Sequence, residues 1–316
     1  MLPLLTAAHE VRPAYLEITE AANGSLHVLW KQPIMGEVAI SLHPILSTWL
    51  NDSAAAMSHT ESYLLKMWDI ENPGTSLEGQ QVVIKGLEGT ITDVLLRITW
   101  RDGKNSTVLL NSRNPVFKID VHHKAGLPIA AYLRLGVEHI LYGADHLLFV
   151  LGLLLLVNSR KKLLTTITAF TIAHSITLAL ATLGLVHIQQ SIAEAIIALS
   201  IVFVGVELLR HYRGEDGFTY RYPWVVAFVF GLLHGFGFAG ALADLGLPEH
   251  SIPWALFLFN IGVEIGQLCF VTAVLTVGWL LRKGQPLYDR KLKWIIPYVV
   301  GSVAAFWFIE RVTQVF

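Results

Sequence analysis

The sequence predicts an all-β, immunoglobulin-like sandwich domain followed by an α-helical polytopic membrane domain of six transmembrane helices. Three observations carry that prediction. Residues 9 to about 124 alternate apolar and polar side chains in short runs separated by turn signals. Beyond Pro128 the chain becomes a series of apolar segments of about 20 residues or more, the length that crosses a hydrocarbon core about 30 Å thick. Of the 316 residues, 53% are hydrophobic and 15% charged, against about 25% charged in ordinary soluble domains.

The chain divides at the sequence level into residues 1–8, 9–125 and 126–316. MLPLLTAA (1–8) reads as the remnant of a signal peptide, an apolar run closing on small residues without a basic start. Cleavage after Ala8 would leave His9 as a mature N-terminus, where an α-amine and an imidazole can chelate a metal; the plainer reading is a surface histidine. The period-2 runs AYLEITE, SLHVLW, EVAISL, SYLLKMW, QQVVIKG, DVLLRITW and STVLLN follow, with turns at Asn23-Gly24, Asn72-Pro73-Gly74 and Asp102-Gly103. About seven short strands in roughly 115 residues fit a two-sheet sandwich. Its histidines, His27, His43 and His59, are scattered, and His122 and His123 read as a polar linker rather than a metal site.

Six spans are expected near 131–157, 163–186, 191–210, 223–246, 253–281 and 293–315. Lys and Arg cluster after the first (Arg160, Lys161, Lys162), the third (Arg210, Arg213, Arg221) and the fifth (Arg282, Lys283, Arg290, Lys291, Lys293), while VHIQQS and LPEHSIP carry none. By the positive-inside rule the basic loops are cytoplasmic, which puts the β domain and the C-terminus outside. A bacterial inner membrane with the β domain on its periplasmic face is the expected location.

Ionisable groups inside these spans need explaining, because each costs at least a few kcal/mol in hydrocarbon unless paired, solvated or bound. His139, Asp145 and His146 open the first span, His174 with Ser175 lies within the second, His234 within the fourth, and Asn260, Glu264 and Gln267 within the fifth. Counted at about 1.5 Å per residue, these groups share one depth. His139 and His146, seven residues apart, should stack on one helix face roughly 10 Å from each other. A single such histidine is explained by a hydrogen bond between helices. The coincidence of depth points instead to a metal site, since imidazoles and carboxylates suit Ni²⁺, Co²⁺ and Zn²⁺. Cys269 is the sole cysteine, which excludes an internal disulfide and a thiolate cluster. Net charge of −1 with no basic block excludes a nucleic-acid partner. Gly235, Gly237 and Gly240 around His234, and Gly262 and Gly266 around Glu264, serve either close packing or local opening of the helix. Glu194, Glu207 and Glu310 fall nearer the interfaces and rank lower.

GVEHILYGADHLLFVLGLLLL resembles the signature first helix of the HupE/UreJ family, to which nickel/cobalt permeation is ascribed. FTIAHSITLALATLG, SIAEAIIALSIVFVGVELL, FGLLHGFGFAGAL and LFLFNIGVEIGQL are similar to its later segments. AHEVRPAYLEITE and GLEGTITDVLLRITW resemble the subgroup with an extracytoplasmic β domain. The resemblance implicates His139, Asp145 and His146 first, then His174, His234 and Glu264. It implies a permease that takes a partly dehydrated Ni²⁺ or Co²⁺ past His139 to a midplane site of His146, His174, His234 and a carboxylate from Asp145 or Glu264. The partners implied are the lipid bilayer, the divalent metal ion and, for the β domain, an extracytoplasmic protein. Two other readings use the same residues. In one, histidine-bound zinc activates a water, with Asp145 as general base and Ser175 or Asn260 as oxyanion donor, in an intramembrane hydrolase of a lipid or amide. In the other, the chain is a metal-sensing or assembly subunit.

Overall fold

The computed structural model of the chain describes residues 13–313 except 36–37, 40, 47–49, 51–54, 61–62, 72–75, 121–128, 216, 244–251 and 285–289, together with residue 315. The stretch 1–8, His9, the Asn72-Pro73-Gly74 turn, His122 and His123 lie outside the described residues. The chain separates into two compact units, Val11–Ala131 and a second that takes in Tyr132–Phe316.

The first unit holds ten strands among the described residues: β1 Ala14–Glu20, β2 Leu26–Met35, β3 Val38–Ala39, β4 His43–Leu46, β5 Ala56–His59, β6 Tyr63–Ile70, β7 Gln81–Lys85, β8 Val94–Thr99, β9 Asn105–Leu110 and β10 Val116–Lys118. One sheet runs β5-β6-β2-β1-β8-β9 with β3 on β2, and a second runs β10-β7-β4. β1 pairs parallel with β8, and the other pairings are antiparallel. Alternation turns Leu16, Ile18, Val28, Trp30, Leu96 and Ile98 of the large sheet into one core with Leu46, Val82 and Ile84 of the small one. Burying each such side chain is worth about 1.5–3 kcal/mol, so this unit is held by the exclusion of water. Gly24 (φ 87°) and Gly103 (φ 79°) make the turns β1–β2 and β8–β9. Asn23 Oδ1 accepts from Ser25 N at 3.0 Å, and Asp102 Oδ1 from Lys104 N at 3.1 Å. Hydrogen bonds from Lys104 hold the Asp102 carboxyl below the usual carboxylate range.

The second unit contains α1 Ile129–Tyr142, α2 Ala144–Leu156, α3 Arg160–Thr182, α4 Gln190–Tyr212, the single turn α5 Phe218–Arg221, α6 Pro223–Ala243, α7 Ile252–Gly284 and α8 Arg290–Thr313. Four of these, α3, α4, α7 and α8, are long and apolar enough to cross a membrane by themselves, and the bent pair α1 and α2 raises the count to five. The described part of α6, Pro223–Gly237, is apolar but shorter. The first expected span is therefore not one helix. It breaks at Gly143 with a bend of 72°, and hydropathy, being blind to direction, gave no sign of it.

In lipid there is no hydrophobic drive to bring helices together, so close backbone packing must do it. A Cβ on Gly235 of α6 would stand 2.0 Å from Thr177 Oγ1 of α3, and one on Gly231 would stand 2.6 Å from Phe170 O. Gly136 of α1 meets α7 in the same way, with Phe259 O 2.0 Å from the position of its Cβ. Since α6 stays helical throughout, its glycines at 231 and 235 serve packing rather than local opening. Glu207, on α4, is buried and accepts from Thr219 N of α5 at 3.2 Å, which fixes the α4–α6 connection.

Candidate metal centre

The break at Gly143 builds the site. α1 ends with Gly143 N donating to His139 O at 3.0 Å, and α2 begins with Leu147 N donating to Gly143 O at 3.0 Å. Gly143 itself is extended (φ −74°, ψ 92°). A Cβ there would lie 2.7 Å from His139 O and 2.8 Å from His146 Nδ1, so a side chain is excluded by the groups that the bend brings together. His139 thus closes one helix while Asp145 and His146 open the next, and their rings meet. The His139 and His146 ring centres are 4.7 Å apart, not the roughly 10 Å of a continuous helix.

Two more helices complete the cluster. His174 of α3 lies 5.8 Å from His139 and 6.0 Å from His146, centre to centre. His234 of α6 lies 5.0 Å from His146. Phe149, Phe170 and Phe259 pack around them, with Phe170 stacked on His174 one turn away at 6.0 Å and 15°. His146, His174 and His234 have no exposed surface, and His139 is 5% exposed.

Hydrogen bonds fix which ring nitrogens carry lone pairs. Asp145 Oδ1 accepts from His146 N at 2.8 Å, satisfying one of the amides that a helix start leaves without an intrahelical partner. The same oxygen lies 3.0 Å from His146 Nδ1. A carboxylate can only accept, so the proton sits on Nδ1 and the lone pair on Nε2, the carboxylate–histidine arrangement of metal-binding imidazoles. Ser200 of α4 gives its single hydroxyl proton to Ile197 O at 2.6 Å, so its oxygen accepts from His234 Nε2 at 3.0 Å. His234 Nδ1 is left with the lone pair. That nitrogen, and both ring nitrogens of His174, are buried with no hydrogen-bond partner. Leaving such groups unsatisfied costs about 1–3 kcal/mol each.

Sequence reasoning missed the ionic neighbours of this cluster. Arg311, on the last turn of α8 and 5% exposed, places Nη2 at 3.9 Å from Asp145 Oδ2 and Nε at 3.6 Å from Glu194 Oε2 of α4. Its Nη1 donates to Glu194 O at 2.9 Å. Gln190 Nε2 donates to both Glu194 Oε1 and Gly237 O, each at 2.8 Å, which ties α4 to α6 one turn beyond His234. Glu194, ranked low as an interfacial residue, is in fact half of a largely buried ion pair. Its neighbour four residues back, Gln190, was the available signal.

Other expected residues stand differently. Glu264 accepts from Thr168 Oγ1 at 2.8 Å, six residues before His174 on α3, and Thr171 Oγ1 donates to Gln267 Oε1 at 3.0 Å. The carboxylate bonded within the histidine cluster is Asp145. Ser175 Oγ donates to Thr171 O at 2.6 Å, and Asn260 Nδ2 donates to Leu256 O at 2.7 Å, each within its own helix.

Two imidazoles bound to one tetrahedral ion through nitrogens about 2 Å away have ring centres about 5 Å apart. The pairs His139–His146 and His146–His234 match that spacing, and His174 stands about 1 Å wide of it. Among the described residues no group of three or more His, Cys, Asp and Glu side chains is placed to hold a metal ion. Comparison with curated proteins and with solved structures gives no match. The family described as HupE / UreJ protein matches residues 117–311, well over half the chain and all but the last few residues of the helical unit. A membrane protein with an N-terminal β-rich unit, it belongs to the HupE/UreJ family.

Proposed function

We propose that the chain is a permease for a divalent transition-metal ion of the Ni²⁺/Co²⁺ type, and that the ion is bound as cargo by His139, His146, His174 and His234. One observation carries this: four imidazoles from α1, α2, α3 and α6 converge in a buried, aromatic-walled space with His174 and His234 nitrogens unsatisfied. Asp145 supplies negative charge and holds His146 in the ligating tautomer. Zn²⁺ suits the same donors, and geometry rather than donor type ranks the three.

In this reading α1 with α2 makes one span, and α3, α4, α6, α7 and α8 make five more, giving six. The basic starts of α3 and α8 and the basic end of α4 face the cytoplasm of a bacterial inner membrane, with the β unit, an immunoglobulin-like sandwich, on the periplasmic side. His139 meets the ion first. Thr171 with Gln267, then Thr168 with Glu264, continue a polar route about 9 Å along α3 towards its basic start. Protonation of the imidazoles favours release, because they bind metal only when deprotonated. The β unit would capture the ion or an extracytoplasmic protein partner. The hydrolase reading draws less support, since Ser175 spends its hydroxyl proton, and Asn260 one of its two amide protons, on their own helices.

The test is Ni²⁺ and Co²⁺ uptake into liposomes by purified protein, wild type beside a His146→Ala/His234→Ala variant. Flux abolished in the variant supports the reading; normal uptake without both histidines contradicts it.

A further inference from the structure

The proposed cargo site contains a cation that can never leave. Arg311 reaches it from α8, held at its far edge by Glu194 through Nε at 3.6 Å and through the backbone oxygen at 2.9 Å. Towards the histidines it faces Asp145 Oδ2 at 3.9 Å, an ion-pair distance too long for a hydrogen bond. The other Asp145 oxygen is already engaged by His146. The Asp145 oxygen nearest the guanidinium is thus the one whose partner is most loosely held.

Local charge gives the consequence. Asp145 is the carboxylate bonded to His146, and the guanidinium facing its other oxygen offsets the negative charge that would attract a dication there. A guanidinium stays charged at every accessible pH, so this opposition cannot be titrated away. Without it, four imidazoles and the buried Asp145 carboxylate would hold a dication in a low-dielectric setting, where attraction is strong and departure slow. Conduction needs a site that binds well enough to admit the ion and weakly enough to let it go.

We propose, on the permease reading given above, that Arg311 is a positioning residue that acts as the site's resident counter-cation. It pairs with Asp145 before the ion arrives, cedes Asp145 Oδ2 when the ion binds, and reclaims it on release, so that its charge sets the exit rate. Glu194 and Gln190 anchor it so that it recedes without leaving.

The experiment measures Ni²⁺ affinity of detergent-purified full-length protein by calorimetry and Ni²⁺ flux in liposomes, for wild type, Arg311→Lys and the double variant Arg311→Gln/Glu194→Gln. The double variant removes Glu194 together with its guanidinium, so that Asp145 keeps its charge for the ion while no second carboxylate is left without a partner. The expected result is Ni²⁺ bound about tenfold tighter by the double variant, with KM and kcat for flux both lowered. Added Ni²⁺ should raise its Tm more than it raises that of wild type. Arg311→Lys, which keeps the charge, should stay near wild type. Unchanged or weaker binding by a folded double variant overturns the inference while leaving the permease reading standing, as does an Arg311→Lys variant that behaves like the double. A wild type that neither binds nor moves Ni²⁺ overturns the permease reading itself, and this inference with it.

Discussion

His27 with Asp69 in the β unit, and His146 with Asp145 in the helical unit, are the same chemical pair in opposite surroundings. The first joins β2 to β6 as directly opposed residues, Nδ1 to Oδ1 at 2.5 Å, with side chains 58% and 77% exposed. The second spans adjacent residues at 3.0 Å, with side chains 0% and 7% exposed. Water can replace every contact of the surface pair, which is therefore worth about 0–1 kcal/mol. Nothing replaces the contacts of the buried pair, where removing one partner strands the other. Sequence chemistry alone makes the two pairs equivalent, and burial decides that one is a sheet ornament and the other part of a site.

Five substitutions sharpen or break this contrast. His146→Ala should have the largest effect, lowering Ni²⁺ affinity more than about a hundredfold, beyond the 10–100-fold typical of losing an outer partner. Asp145→Asn leaves every imidazole in place and should weaken binding about 10–100-fold, since His146 exchanges a charged partner that can only accept for a neutral amide that can accept or donate; calorimetry on the purified protein separates the two. Ser200→Ala releases the tautomer of His234 and should cost about fivefold, the worth of about one hydrogen bond. His27→Ala or Asp69→Asn should shift thermal stability by less than about 1 kcal/mol, diminishing further in high salt, with Ni²⁺ flux unchanged. A tenfold loss of flux in either of these last variants would break the contrast and place metal capture on the sheet.

Legibility in the sequence followed how evenly a segment is buried. β1, β6 and β8 read clearly because one face of each lies in the core while the other carries polar residues such as Glu17, Asp69 and Arg97, which writes a period of two over part of each strand. β5 (AMSH) is exposed along its whole length, and β10 has three residues, so neither leaves a pattern. β4 opens with His-Pro, which masks an edge strand. In the helical unit every segment is apolar, so hydropathy found the spans but not the 72° bend; Gly143, the one glycine between His139 and Asp145, was the available clue. His139, Asp145, His146, His174 and His234 stood out because each is expensive in lipid. Arg311 did not, since an arginine closing an apolar segment reads as an interfacial residue. Ser200 did not because a hydroxyl bonded to its own helix is cheap.

The most direct test of the buried cluster as the metal site is X-ray absorption at the nickel edge on full-length protein loaded with one equivalent of Ni²⁺, comparing wild type, His174→Ala and His27→Ala. Multiple imidazole scattering that diminishes in His174→Ala and is untouched by His27→Ala is the result expected of a cluster that closes on the ion. A shell of oxygen donors without imidazole scattering, or a signal lost with His27 rather than His174, would contradict it.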